Sequence, residues 1–184
     1  MSEATPERPG PDLLPILIVP DARLRQKCRA VGPADADVVR ALAPRMLATM
    51  YKAPGIGLAA PQVGQLLRMC VVDIQKDDVR EPLILVNPEI TAVSKDLSTR
   101  EEGCLSLPGQ YADVTRPAEV KLRWLDLDGS KQELHADGLL ATCLQHELDH
   151  LDGVLFVDHL SALKRNMLLR KLAKDMKLRQ REAM

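Results

Sequence analysis

Two histidines four residues apart, with a glutamate beside the first, are able to do metal chemistry. The segment His146-Glu147-Leu148-Asp149-His150 has this arrangement. On a helix, positions i and i+4 share a face, so both imidazoles can grip one divalent ion. Glu147 then lies within reach of a water that the ion activates, and it can act as general base. Thr142, Cys143, Leu144 and Leu148 give this helix apolar flanks. Ionisable groups on a buried apolar helix need compensation, and a metal supplies it. The competing reading is a solvated helix on which these residues coincide.

Two protein ligands do not complete a catalytic site, which usually has three and an open position. A metzincin would continue as H-E-x-x-H-x-x-G-x-x-H. Here Gly153 stands in place, but Phe156 occupies the third-histidine position. Asp158 and His159 follow, at the start of what reads as a different helix. Cys104, in REEGCLSLPGQ, is the remaining soft donor. It is either a thiolate ligand or an ordinary loop cysteine. A zinc endopeptidase and a non-enzymatic, ribosome-associated metal protein therefore stand beside a Cys/His/His hydrolase.

The segment GIGLAAPQVG is a second candidate. Gly55, Gly57 and Gly64 permit close backbone approach, Ala59 and Ala60 leave space, and Gln62 carries an amide donor. No Lys-Ser or Lys-Thr follows, which excludes a phosphate loop. Ala60 and Pro61 break the dinucleotide fingerprint. The segment reads either as a structural turn or as a place where a peptide lies against the backbone.

The elements that must hold these residues follow from pattern. The chain has 184 residues, 46% of them hydrophobic, which suits one domain with a real core. Its net charge of -1 gives no overall pull toward nucleic acid or membrane. The four aromatic residues, Tyr51, Tyr111, Trp124 and Phe156, are few for a protein that stacks bases. No signal peptide, transit peptide or membrane span is legible, so a cytoplasmic protein without disulfides is expected. Cys70 and Cys143 read as small buried hydrophobes. Residues 1–13 read as a flexible tail and 14–184 as one catalytic domain.

ILIVP predicts a short strand. A helix is expected from Pro33 to Tyr51, with Val38, Leu42, Met46 and Met50 inward and Pro44 marking a kink. LRMCVVDI and LILVNPEI predict strands, and VKLRWLDLDGSKQELHADG a hairpin turning at Asp128-Gly129. The H-E-x-x-H helix should run from Gly138 through His150 and end at Gly153. A last helix should start at the cap Ser161 and reach Glu182. The whole is α+β: antiparallel and mixed strands around a central metal-binding helix, with a C-terminal helix.

Taken in order, GIGLAAPQVG, EGCLSLPG and QHELDH resemble the peptide deformylase family, whose signatures read G-x-G-x-A-A-x-Q, E-G-C-L-S and H-E-x-D-H. ILIVPDARLRQKC is similar to the family's opening strand and turn, and the resemblance spans Ile16 to Leu178. It implies a hydrolase that removes the N-formyl group from the first methionine of new polypeptides. Cys104, His146 and His150 would bind the metal and Glu147 would handle protons. Gln62 and the backbone N–H of Leu105 would stabilise the oxyanion. Gly57 would pair with the substrate backbone, while Ile56, Leu139, Thr142 and Cys143 line the methionine pocket. Glu102 and Arg116 would form a supporting ion pair. The implied metal is ferrous iron, with zinc, nickel or cobalt as substitutes. Tyr111 departs from relatives that carry arginine there, and Arg100 departs from an often apolar rim position.

Residues 161–184 hold eight Lys or Arg and two acids. Leu163, Met167, Leu168, Leu172 and Met176 give this helix an apolar stripe. It either docks on its own domain or, as the resemblance implies, contacts ribosomal RNA.

Overall fold

The computed structural model describes residues 12–184. Most of the expected tail lies outside the described residues. The chain is already anchored at Leu14, whose N–H donates to Thr49 Oγ1 at 2.9 Å. ILIVP is not a strand. It runs as irregular chain fastened by single backbone bonds, Leu17 N–H to the Gln62 carbonyl and Val19 N–H to the Ser106 carbonyl. It thus bridges two segments that carry site residues.

A 3₁₀ turn at Pro33–Asp35 leads into helix α1, Ala36–Lys52. Its buried face is Val39, Leu42, Ala43, Met46, Thr49 and Met50, while Val38 is 48% exposed. The true stripe thus alternates spacings of three and four, which follows 3.6 residues per turn better than fours alone. Pro44 is carried inside the helix.

Five strands form one sheet in the order β1 (Gly57–Ala59), β2 (Met69–Val72), β3 (Leu83–Val93), β6 (Val120–Leu125), β7 (Lys131–Ala136). Each neighbouring pair is antiparallel, and one isolated parallel bridge joins Arg29 to Leu67. The Asp128-Gly129 turn links β6 to β7 as expected, with Gly129 at φ +84°. Helix α2, Gly138–Leu151, packs on one face of the sheet with Cys70, Val72, Leu85, Leu122 and Trp124. Helix α1 packs on the other, with Leu58, Met69, Val71 and Val86. All four residues of β2 are buried. A strand covered on both faces has no polar side, which is why MCVV reads as a continuous apolar run.

Between β3 and β6 the chain leaves this sheet to form a separate hairpin, β4 (Leu97–Cys104) and β5 (Leu107–Pro117). Pattern reading missed both strands. Gln110, Val114 and Arg116 of β5 point inward at period two, but two of these three are polar, so the alternation is disguised. The segment holding Cys104 is therefore the end of a strand and its tight turn, with a register shift between Gly103 and Cys104. A 3₁₀ turn, Phe156–His159, and helix α3, Ala162–Glu182, close over this hairpin. Leu107, Val114, Leu155, Phe156, Val157 and Leu172 form the third apolar cluster there. Ser161 caps α3 by accepting from Lys164 N–H at 3.2 Å.

Candidate active site

Helix α2 places His146, Glu147 and His150 in the interior because its surroundings are covered by the sheet, the hairpin and the 3₁₀ turn. Gly153, at φ +73°, ends this segment and passes so close to the Arg25 carbonyl that a side chain would collide with it. Phe156, where a third histidine would stand in another family, is buried and stacks on His146 with ring centroids 6.1 Å apart. His159 goes elsewhere, its Nε2 bonding Asp149 Oδ2 at 2.8 Å.

Cys104 comes from the other side of the seam. Its Sγ lies 3.3 Å from His150 Nε2, and one donor atom from each of Cys104, His146 and His150 falls within 4.8 Å of the others. A thiol and two imidazoles converging at that separation suit a borderline divalent ion with an open fourth position. The fit extends outward. Glu102 Oε1 holds His146 Nδ1 at 2.9 Å, which turns the other ring nitrogen toward the cluster. Burial disfavours charge on His146, yet hydrogen bonds to Cys104 and Glu102 push it well above the usual histidine range. A proton there stands where the environment favours a cation. Burial holds His150 neutral, well below that range, as ligation requires.

Glu102 itself is buried. Burial alone would raise its pKa, but bonds from His146 and Arg116 bring it down to about 2. Arg116 contacts it twice, at 2.7 and 3.0 Å, and reaches Asp149 at 2.8 Å. The expected Glu102–Arg116 pair is thus a buried bidentate one. It connects β4, β5 and α2 directly behind His146.

Glu147 sits differently. Burial pushes its carboxyl up to about 7, and the neighbouring Glu102 charge adds to this. Its Oε2 has no hydrogen-bond partner among the described residues. A carboxyl with a pKa near neutrality and an unengaged oxygen is suited to accept and return a proton. Gly57 lies against it: a Cβ there would strike Glu147 Oε1 and come within 2.9 Å of Cys143 Sγ. Only glycine lets β1, the edge of the sheet, pass this close to the carboxylate.

Gln62, 1% exposed, has its amide oriented by its surroundings. Oε1 accepts from Ala59 N–H at 2.9 Å, so Nε2 faces Ser106 Oγ at 3.1 Å and Cys104 Sγ at 3.5 Å. Ser106 belongs to EGCLS, but its hold on Gln62 was not foreseen, since the two are brought together only by the fold.

A cleft of about 860 Å³ opens beside these groups. Ile56, Leu139, Thr142 and Cys143 line it, together with Gly57, Leu105 and Tyr111. Arg100 does not. Its guanidinium lies by Gly138 at the start of α2. Met176 and Arg179 of α3 also line the cleft, which no local pattern announced. The arrangement can bind a divalent ion, hold an apolar side chain beside it, and move one proton near a carbonyl.

The polypeptide deformylase family profile matches residues 13–166. The peptide deformylase of Agrobacterium fabrum is 53% identical over 161 residues, covering 87% of this chain and 94% of the relative. Among solved structures, a peptide deformylase from Legionella pneumophila superposes with a TM-score of 0.86 at 46% identity, over 92% of this chain and 99% of the other. One from Synechococcus elongatus, in complex with actinonin, gives 0.81 at 46% identity over 89% of each chain.

Proposed function

The chain belongs to the polypeptide deformylase family, and on that premise we propose which of its groups perform the reaction. The activity is hydrolytic and metal-dependent: the N-formyl group is removed from the N-terminal methionine of newly made polypeptides, releasing formate. In this reading residues 14–184 form the catalytic unit. Cys104, His146 and His150 hold the metal, supported by the convergence of their donor atoms. A divalent ion there supplies Lewis-acid polarisation of the formyl group and a water-derived nucleophile at neutral pH. The family resemblance favours Fe2+, and the donor set also accepts Zn2+, Ni2+ or Co2+.

Glu147 takes a proton from the attacking water and returns it to the leaving amine nitrogen. The Gln62 amide, already turned toward Cys104, and the Leu105 backbone N–H donate to the developing oxyanion. Ile56, Leu139, Thr142 and Cys143 receive the methionine side chain. The Gly57 edge of β1 pairs with the peptide backbone by strand addition. No helix of the described residues is long and apolar enough to cross a membrane, and the proposed location is cytoplasmic. The basic outer face of α3 is a proposed contact with ribosomal RNA. Co-sedimentation with ribosomes that is lost at high salt and on deleting residues 165–184 is the expected result.

The observation that carries the assignment of roles is the unengaged, raised-pKa carboxylate of Glu147 next to three convergent soft donors. Anaerobically purified, metal-loaded protein should release formate from formyl-Met-Ala-Ser. Glu147→Ala should keep the metal and lose turnover. A variant that turns over normally refutes the assignment.

A further inference from the structure

The cleft does not end at the catalytic side chains. It continues past Pro108, Gly109 and Tyr111 to α3, where Met176 and Arg179 line it. This part of α3 is fixed in place. Leu172 is buried in the third apolar cluster, and Met176, one turn on, packs against the same cluster. Gln110 of β5, itself buried, donates to Asp175 Oδ2 at 3.3 Å. Arg179 follows Met176 by three residues and so projects from the same side of the helix. The other seven Lys and Arg of residues 161–184 do not line the cleft.

The charges along the cleft are unequal. Glu102 is neutralised by Arg116, Glu147 lies at the reacting end, and the exposed Glu101 of β4 adds a carboxylate from the hairpin. Tyr111 offers a neutral ring, 60% exposed, that folds over Gly103, where a Cβ would meet it at 2.5 Å. The Asp175 carboxylate, one turn before Arg179, keeps its charge while accepting from the neutral Gln110 amide, but it does not line the cleft. Arg179 is the one Lys or Arg among the described residues that line the cleft, and it stands on α3, a different element from the one that carries Glu101. A peptide whose first methionine is held beside Glu147 advances only about 3.3 Å per residue when extended. In the proposed reading the peptide leaves the reacting end along this cleft, so residues after the first methionine are the ones offered to α3.

Resting on the deformylase reading, we infer that Arg179 makes the enzyme favour formyl-methionyl chains with acidic side chains downstream of the methionine. The contact is an exposed ion pair, so the preference is modest, about two- to fivefold in kcat/KM. It is present equally in ground and transition states and therefore enters through KM, with kcat unchanged. Salt well above 0.15 M erases it.

The test compares C-terminally amidated formyl-Met-Ala-Ser-Glu-Glu-Glu with its Gln-Gln-Gln and Lys-Lys-Lys counterparts. The wild-type protein should rank them Glu, Gln, Lys. Arg179→Gln should flatten the ranking and Arg179→Glu should invert it. Lys174→Glu, the same charge change away from the cleft, should leave it intact. Equal KM for the three peptides, an unaltered ranking in Arg179→Glu, or an equal shift in Lys174→Glu overturns the inference while the deformylase reading stands. No formate from any of the three peptides would bring down both.

Discussion

Two regions meet at the active site, and they are built on opposite terms. Helix α2 is held by a thick apolar layer, from Ala141, Leu144, Leu148 and Leu151 to β2, β3 and β6. The β4–β5 hairpin faces it with polar groups: Glu102, Cys104 and Arg116, the last bonded to Asp149 of α2. The hairpin has its own small core under α3. His146, Glu147 and His150 therefore ride on a rigid support. Cys104 and Glu102, the partner of His146, ride on a separate element, and buried polar contacts set its position. Such contacts add little net stability, because desolvating the charges offsets their attraction, yet removing one partner is costly, because it leaves the other charge buried and uncompensated.

The contrast can be tested from its strongest consequence downward. Glu147→Gln on the α2 side should lower kcat by at least ~10²–10⁴, the usual range for a general acid–base. The same change should stabilise the metal-free fold. The native pKa of Glu147, about 7, stands above its ordinary 4.5. Below pH 4.5 the group is protonated in both folded and unfolded chains and contributes nothing. Between 4.5 and 7 the unfolded chain releases its proton first, and folding loses stability; above 7 the loss is complete. Thermal melts of metal-free wild type and Glu147→Gln should therefore diverge from pH 5 to pH 8, with the variant higher. Parallel curves would mean that the carboxylate is not penalised by burial.

On the hairpin side, Glu102→Ala leaves Arg116 without its bidentate partner and His146 without its Nδ1 contact. Chemical denaturation should register a loss of about 3–5 kcal/mol, accompanied by weaker metal retention. A loss below ~1 kcal/mol would show that the seam does not depend on this pair. Gly57→Ala is expected to push Glu147 aside while the sheet persists, costing about 10² in kcat with little change in unfolding midpoint. The smallest effect belongs to the exposed Arg123–Glu89 pair, where both side chains are more than half exposed. Arg123→Ala should change stability by about 1 kcal/mol at most, and a larger value would blur the contrast between buried and surface pairs.

The α2 side was legible in the sequence and the hairpin side largely was not. HELDH shows both histidines and the glutamate because helical spacing alone puts them on adjacent positions of one element. β2, β3 and the β6–β7 hairpin were equally readable from apolar runs and an Asp-Gly turn. By contrast, β4 and β5 carry inward polar residues, Gln110 and Arg116, whose partners Asp175 and Glu102 lie 65 and 14 residues away. Polar residues at core positions read as loop until the partners are known. Local pattern therefore left Cys104 open between thiolate ligand and loop cysteine, and family resemblance favoured the first.

By itself, then, the sequence determined the chemistry available: two imidazoles, a carboxylate, a thiol and an amide, with the first three set on one helix by a local period. Only the tertiary structure decided their meeting. It brought Cys104 to 3.3 Å from His150, turned Gln62 by an Ala59 N–H and the Ser106 hydroxyl, and buried Glu147 until its carboxyl titrates near neutrality. It also swung Arg179 to the cleft mouth. The reason is physical. Spacing along one helix is fixed by backbone geometry within a few residues, whereas contacts between distant segments, and the burial that shifts a pKa, exist only when the packed layers close around them.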